Sequence, residues 1–285
     1  MTQLEIGKKT VLQLAETAGT LRKDVITMVY DAGDGHIGTS LSICEIVTAL
    51  YFHVMNVRPA EPKWDARDRF VLSKGHACPV VYAALARRGF FPVDELGSLR
   101  RINSILQGHP DTVKTPGIDA TAGPLGTGIA VGCGMAIAAR LKKQESFTYV
   151  VVGDGELNEG LNWEGIMTAS KHNLGRLIVF VDNNGYQSGG TVVDVSGIEP
   201  IMAKFNSFGW HGQEINGHDL GQIISAVETA KSVPDTPSVI LCHTVKACGV
   251  DFMEGTNDWH KRVPTDDEYK RAMAYLEGSE NGRTG

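Results

Sequence analysis

Apolar residues near the start of the chain fall at loosely helical spacing: Leu12, Leu14, Leu21, Val25, Ile26 and Val29. The spacing predicts a helix from Leu4 to about Ala32, broken by Gly33, Gly35 and Gly38. A second apolar stretch predicts a helix from about Ser42 to Val54. Arg69-Phe-Val-Leu72 reads as a short strand that ends at Ser73-Lys74-Gly75-His76, with a helix following through Tyr82 to Arg88. The segment from Phe91 to Ile118 shows neither period and is irregular. Gly123-Pro124-Leu125-Gly126 opens a helix through Ala130 to about Lys143, built so largely of small and apolar residues that most of its sides must pack.

Two continuous apolar runs, Thr148-Tyr-Val-Val-Val152 and Leu177-Ile-Val-Phe-Val181, mark strands buried on both faces. A helix from about Leu161 to His172 lies between them and makes a βαβ unit with a right-handed crossover. Gly217-His218-Asp219 supplies a turn and N-cap for a helix to Lys231, and Ser238 to Val245 reads as a last strand. This alternation predicts an α/β fold, a parallel sheet with helices on both faces and ligands at the strands' carboxyl ends. One domain is expected over residues 1–276, followed by a frayed polar tail over 277–285.

Composition narrows the function classes. The 285 residues carry a net charge of −6, which argues against a nucleic-acid partner, because binding phosphates calls for a basic face. Cys44, Cys78, Cys133, Cys242 and Cys248 are odd in number and contain no C-x-x-C, so reduced thiols in a cytoplasmic protein are expected. The first residues lack the apolar core of a signal peptide, and no apolar run of about 18 residues predicts a membrane span.

The candidate chemistry sits where the two apolar runs end. One empties into Gly153-Asp154-Gly155 and the other into Asp182-Asn183-Asn184, so a parallel pair would bring a carboxylate and a carboxamide to one sheet edge. Asp and Asn oxygens suit a hard divalent cation, and the glycines beside Asp154 let backbone N–H groups approach a diphosphate. Asp154, Asn184 and the Tyr186 carbonyl could hold magnesium together with diphosphate oxygens and water. His36, His76, His109 and His260 each sit beside glycine or in irregular chain, where rings are easily exposed for proton transfer or hydrogen bonding.

The run from Gly153 to Gly165, GDGELNEGLNWEG, continuing into Val181-Asp-Asn-Asn-Gly-Tyr-Gln187, resembles the thiamine-diphosphate motif of the transketolase family. Asp34-Gly-His-Ile-Gly38, Leu72-Ser-Lys-Gly-His76, Gly108-His-Pro110 and Gly123-Pro-Leu-Gly126 follow the family's order. Nearly the whole chain is similar to the N-terminal, diphosphate-binding half of transketolases. The resemblance implies thiamine diphosphate and Mg2+ as cofactors, with Ca2+ or Mn2+ able to replace the magnesium. It implies a transfer of a two-carbon ketol unit from a ketose phosphate to an aldose acceptor.

The resemblance also assigns sites. Gly123, Leu125, Gly126, Gly153, Asp154, Gly155, Asn184 and His76 would bind the cofactor, and His36, His109 and His260 would line the sugar funnel. Glu159 and Glu164 would lie near a dimer axis, as interface or proton-relay groups. Asn257 stands where full-length transketolases carry another histidine, and Ile37 where they usually show proline. Lys246, Lys261 and Arg262 are candidates for anion binding, each more simply read as a solvated surface charge. The family's pyrimidine-binding domain, with its activating glutamate, is expected on a separate C-terminal subunit. The chain alone should then be nearly inactive and work in an α2β2 heterotetramer. Alternatives are a subunit of a deoxyxylulose-phosphate-synthase-like thiamine enzyme, or a non-catalytic regulatory module on the same fold.

Overall fold

A computed structural model describes residues 8–281. The elements run α1 (Lys8–Ala32), α2 (Ile37–Leu41), α3 (Cys44–Ala49, continued as a π-turn over Leu50–Val54), β1 (Arg69–Leu72), α4 (Cys78–Arg88), α5 (Gly128–Leu141), β2 (Thr148–Gly153), α6 (Gly160–Lys171) and β3 (Leu177–Asn183). A small antiparallel hairpin, β4 (Tyr186–Gln187) and β5 (Gly190–Thr191), leads to α7 (Val192–Ser196) and α8 (Ile201–Ser207). The chain then continues through β6 (His211–Asn216), α9 (Leu220–Lys231), β7 (Ser238–His243) and α10 (Asp266–Asn281).

Five strands form one parallel sheet in the order β1-β2-β3-β7-β6. Successive side chains of a strand point to opposite faces, and here the two faces feed two separate cores. Phe70, Tyr149, Val151, Ile178, Phe180 and Ile240 join α1, α3, α4 and α9 on one side. Val71, Val150, Val152, Val179, Val181 and Leu241 join α5, α6 and α8 on the other. Both faces being covered explains the unbroken apolar runs of β2 and β3; each fully buried aliphatic or Phe side chain contributes about 1.5–3 kcal/mol.

Several boundaries differ from the sequence expectation. The expected start of α1 at Leu4 lies outside the described residues. The second helix begins earlier, at Ile37, and breaks around Ser42 and Ile43 before α3. The loop 123–126 precedes α5 rather than opening it. Strand β6 was not expected: its sequence, HGQEIN, has no apolar period, and at its edge of the sheet none of its residues is fully buried, unlike those of the other edge strand, β1.

The expected frayed tail is helical over 277–281, and residues 282–285 lie outside the described residues. Helix α10 starts with a capping box, in which Glu268 N donates to Thr265 Oγ1 (3.3 Å) and Thr265 N to Glu268 Oε2 (2.9 Å). It is fastened by buried Ala272 and Leu276 and by Tyr269, which stacks on Tyr30 at 4.3 Å.

Candidate functional site

The carboxyl ends of β1, β2, β3 and β7 open into a cavity of about 520 Å³, lined by His36, His76, His109, Asp154, Asn184, Lys246 and His260 among others. Its floor is set by strand register. Gly153 pairs with Asp182, and one residue further Asp154 N donates to Asp182 O (3.1 Å). The Asp154 side chain is 2% exposed; Oδ1 accepts from Gly155 N (2.7 Å) and Oδ2 from Gly185 N (2.6 Å). Burial, then the neighbouring charge of Asp182, push its carboxyl up to about 7.

Asp182 is already neutralised. It forms a buried ion pair with Lys74 and accepts from Ser42 Oγ (2.8 Å), Thr244 Oγ1 (2.5 Å) and Asn184 Nδ2 (2.7 Å). The last bond turns the Asn184 carboxamide so that its oxygen faces the loop, where Tyr186 N donates to it (3.0 Å). Asp154, by contrast, is a buried carboxylate at the cavity floor with no cation paired to it. No group of three His, Cys, Asp or Glu side chains among the described residues could hold a metal. One carboxylate, one carboxamide oxygen and a nearby backbone carbonyl suit a hard cation whose remaining ligands come from a bound diphosphate and water. The donor set thus fits magnesium and a diphosphate together.

Two glycines are required by close packing. A Cβ on Gly155 would lie 2.7 Å from Gln187 Cβ, and one on Gly126 (φ +82°) would lie 2.5 Å from Glu159 Cβ. Gly123 meets nothing within 4 Å, so packing within the chain does not demand glycine there. Glu156 ties the surrounding loops together: Oε2 accepts from Gly153 N (3.0 Å), and Oε1 from Gly126 N (2.8 Å) and Ser73 Oγ (2.5 Å). Sequence reasoning missed Glu156, Asp182 and Lys74; the signal was their position within the strand-end motifs.

Three of the expected histidines form a cluster. His36 lies 4.9 Å from His76 and 5.4 Å from His260, ring centre to ring centre, with His76 and His260 5.6 Å apart. Burial, reinforced by nearby cations, holds His36 and His260 down to about 4 and His76 lower still. All three are neutral near pH 7. His36 Nδ1 and Gln187 Oε1 are buried without a hydrogen-bond partner, polar atoms left over in a cavity wall. His109 sits exposed at the rim, its carbonyl accepting from Tyr82 Oη (3.0 Å) and its ring lowered by burial and then by Arg100.

Other expected residues separate. Leu125 lines the cavity and is 39% exposed. Glu159 reaches the cavity at the N-cap of α6, whereas Glu164 is exposed on the same helix and is not among the lining residues. Lys261 and Arg262 remain exposed, pairing with Asp34 and Glu268. Lys246 corrects the expectation of a surface charge: it is 1% exposed, inside the cavity wall. His218 keeps a structural place, bonded to Glu45 Oε2 (3.0 Å) and accepting from Val245 N (2.8 Å).

Comparisons with known proteins agree with this geometry. The sequence pattern described as "Transketolase, thiamine diphosphate binding domain" matches residues 14–278. The chain is 42% identical over 266 residues to a 6-deoxy-6-sulfo-D-fructose transketolase subunit of Clostridium sp. (strain MSTE9), covering 93% of this chain and 97% of that one. It is 40% identical over 252 residues to an apulose-4-phosphate transketolase subunit of Phocaeicola vulgatus, covering 88% and 89%. Among solved structures, the transketolase of Leishmania mexicana superposes with a TM-score of 0.88 at 31% identity, over 93% of this chain but 41% of that one. A Pichia stipitis transketolase complex with sedoheptulose 7-phosphate gives 0.88 at 32% identity, over 95% and 44%. The chain thus spans less than half of the solved transketolases it matches, and nearly all of relatives named as subunits. By its sequence and by the arrangement at its strand ends, the chain belongs to the transketolase family, as its thiamine-diphosphate-binding domain.

Proposed function

We propose that the chain is the diphosphate-binding, N-terminal subunit of a heteromeric transketolase that uses thiamine diphosphate and Mg2+. The observation that carries this reading is the uncompensated Asp154 carboxylate beside the oriented Asn184 amide, facing the neutral cluster His36, His76 and His260 across one cavity. Asp154, Asn184 and the Tyr186 carbonyl would hold the metal. His76 and the glycine loops at 123–126 and 153–155 would receive the diphosphate. When bound, thiamine diphosphate supplies the electron sink that a two-carbon ketol transfer requires.

The chain's own residues then handle the sugar. Neutral imidazoles can donate or accept hydrogen bonds to hydroxyl and carbonyl oxygens, and His36, His109 and His260 stand where donor and acceptor would pass. Relatives named as subunits support a second subunit; that partner would supply the pyrimidine-binding domain, in an α2β2 assembly. The exposed apolar side chains Leu161 and Met167 on α6 and Val131 on α5 offer a face for such contact, with Glu164 between them. The substrate class is an anionic sugar, since relatives are named for a sulfonated fructose as well as for apulose 4-phosphate, and unpaired cysteines support a cytoplasmic site of action.

The test is calorimetry and a ketol-transfer assay with the partner subunit present. The pair should bind thiamine diphosphate with Mg2+ and transfer ketol units, while this chain alone should not. Asp154→Ala should abolish metal-dependent cofactor binding with the fold retained. Wild-type affinity in that variant, or full activity of the chain alone, would overturn the reading.

A further inference from the structure

Lys246 lies just past β7, in a loop held on two sides. Ala247 N donates to Gly38 O (3.0 Å) and Gly255 N to Lys246 O (2.9 Å), while Gly38 N donates to Trp259 O (3.0 Å). These bonds tie the Lys246 loop to the first turn of α2 and to the segment that carries Asn257 and His260. The side chain is buried, yet no carboxylate is bonded to it. Its ammonium reaches Asn257 Oδ1 (2.7 Å) and His260 Nδ1 (2.8 Å).

The direction of both bonds can be read. Asn257 Nδ2 is committed to Ser188 O (3.3 Å), which fixes its oxygen toward Lys246. A protonated lysine has donors and no acceptor, so both bonds run outward from Nζ. His260 Nδ1 is then an acceptor, and the ring's one proton belongs on Nε2.

Resting on the transketolase reading, we propose that Lys246 is a positioning residue that locks His260 in the Nε2–H tautomer, making it a fixed N–H donor to sugar oxygens in the funnel. Asn257 serves the same end by holding Lys246 in place. A neutral histidine without such a partner divides its proton between two nitrogens and rotates more freely. Lys246 removes both freedoms, and it does so in a site where His36 and His76 pack against the same ring. A hydrogen bond donated by Nε2 would strengthen as negative charge grows on a substrate oxygen, so the effect belongs to turnover more than to substrate affinity.

The experiment is NMR of the full chain with isotope-labelled histidine near neutral pH, with His260 assigned by comparison with His260→Gln. The wild-type ring should show protonated Nε2 and bare Nδ1. Lys246→Met should raise the Nδ1-protonated fraction several-fold. In the reconstituted pair it should lower kcat about tenfold with little change in donor KM, the scale of an acid–base group losing its alignment. Protonated Nδ1 in the wild type would overturn the proposal without any variant. An unchanged tautomer in a folded Lys246→Met chain would do so as well. The tautomer is read without cofactor or partner, so absent ketol transfer with the expected tautomer would sink the functional reading, and with it the sugar-donor role, while the Lys246–His260 lock itself would stand.

Discussion

Two buried lysines flank the same cavity and are treated in opposite ways. Lys74 is 2% exposed and meets a full counter-charge, Asp182, along with Thr39 Oγ1 (2.9 Å) and O (3.0 Å). Lys246 is 1% exposed and meets only neutral acceptors. The first arrangement cancels charge and fixes geometry: the paired Asp182 orients the Asn184 amide. The second leaves a cation whose field is spent on a histidine ring. A buried charge with its partner is framework, whereas one without a carboxylate points to chemistry that must be supported.

Breaking the pair at Lys74 should have the largest effect. Lys74→Met leaves Asp182 buried and uncompensated, and should cost about 3–5 kcal/mol in denaturant unfolding. Adding Asp182→Asn should recover a good part of that loss. Additive losses would mean that the two side chains do not stabilise each other.

Acid offers a second, milder way to separate the regions. His36 and His260 titrate near 4 in the folded chain against an ordinary value of 6.5. Between those values the unfolded chain binds more protons than the folded one. Stability is therefore full above pH 6.5 and is lost as pH falls toward 4. The loss should be about 1–3 kcal/mol, since both rings are partly solvated. It should shrink in a His36→Gln/His260→Gln variant, and thermal melts across the window would show it. A flat profile in the wild type would contradict the neutral cluster.

The smallest effect on stability should follow Lys246→Met. Relief of an uncompensated buried charge offsets two lost hydrogen bonds, so the change should stay within about 1 kcal/mol. A loss as large as that of Lys74→Met would erase the contrast between the two lysines.

The sequence made the sheet's interior legible because β2 and β3 are buried on both faces and carry unbroken apolar runs rich in valine. Strand β6 escaped for the opposite reason: half-exposed at an edge, its residues answer to water as much as to the core. Helix α10 carried a readable signal that went unused, the Thr265–Glu268 capping box followed by Tyr269, Ala272, Met273 and Leu276 at helical spacing. At the site, Asp154, Asn184 and the histidines announced themselves by motif. Lys246 stood only as an anion-binding candidate read as a surface charge, because Gly38, which helps bury it, is distant in sequence, and the irregular Gly255–His260 segment closes on it only after folding. Asp182 was visible in its motif, yet its role depends on Lys74 lying across the sheet edge.

The Glu156 carboxylate has a mechanical meaning beyond its hydrogen bonds. Loops from three places in the chain, at Ser73, Gly126 and Gly153, converge on its two oxygens. None of these loops can shift alone, because a displacement of one pulls on a group the other two share. The cradle behaves as a single jointed plate, stiff against small jolts and apt to give way all at once.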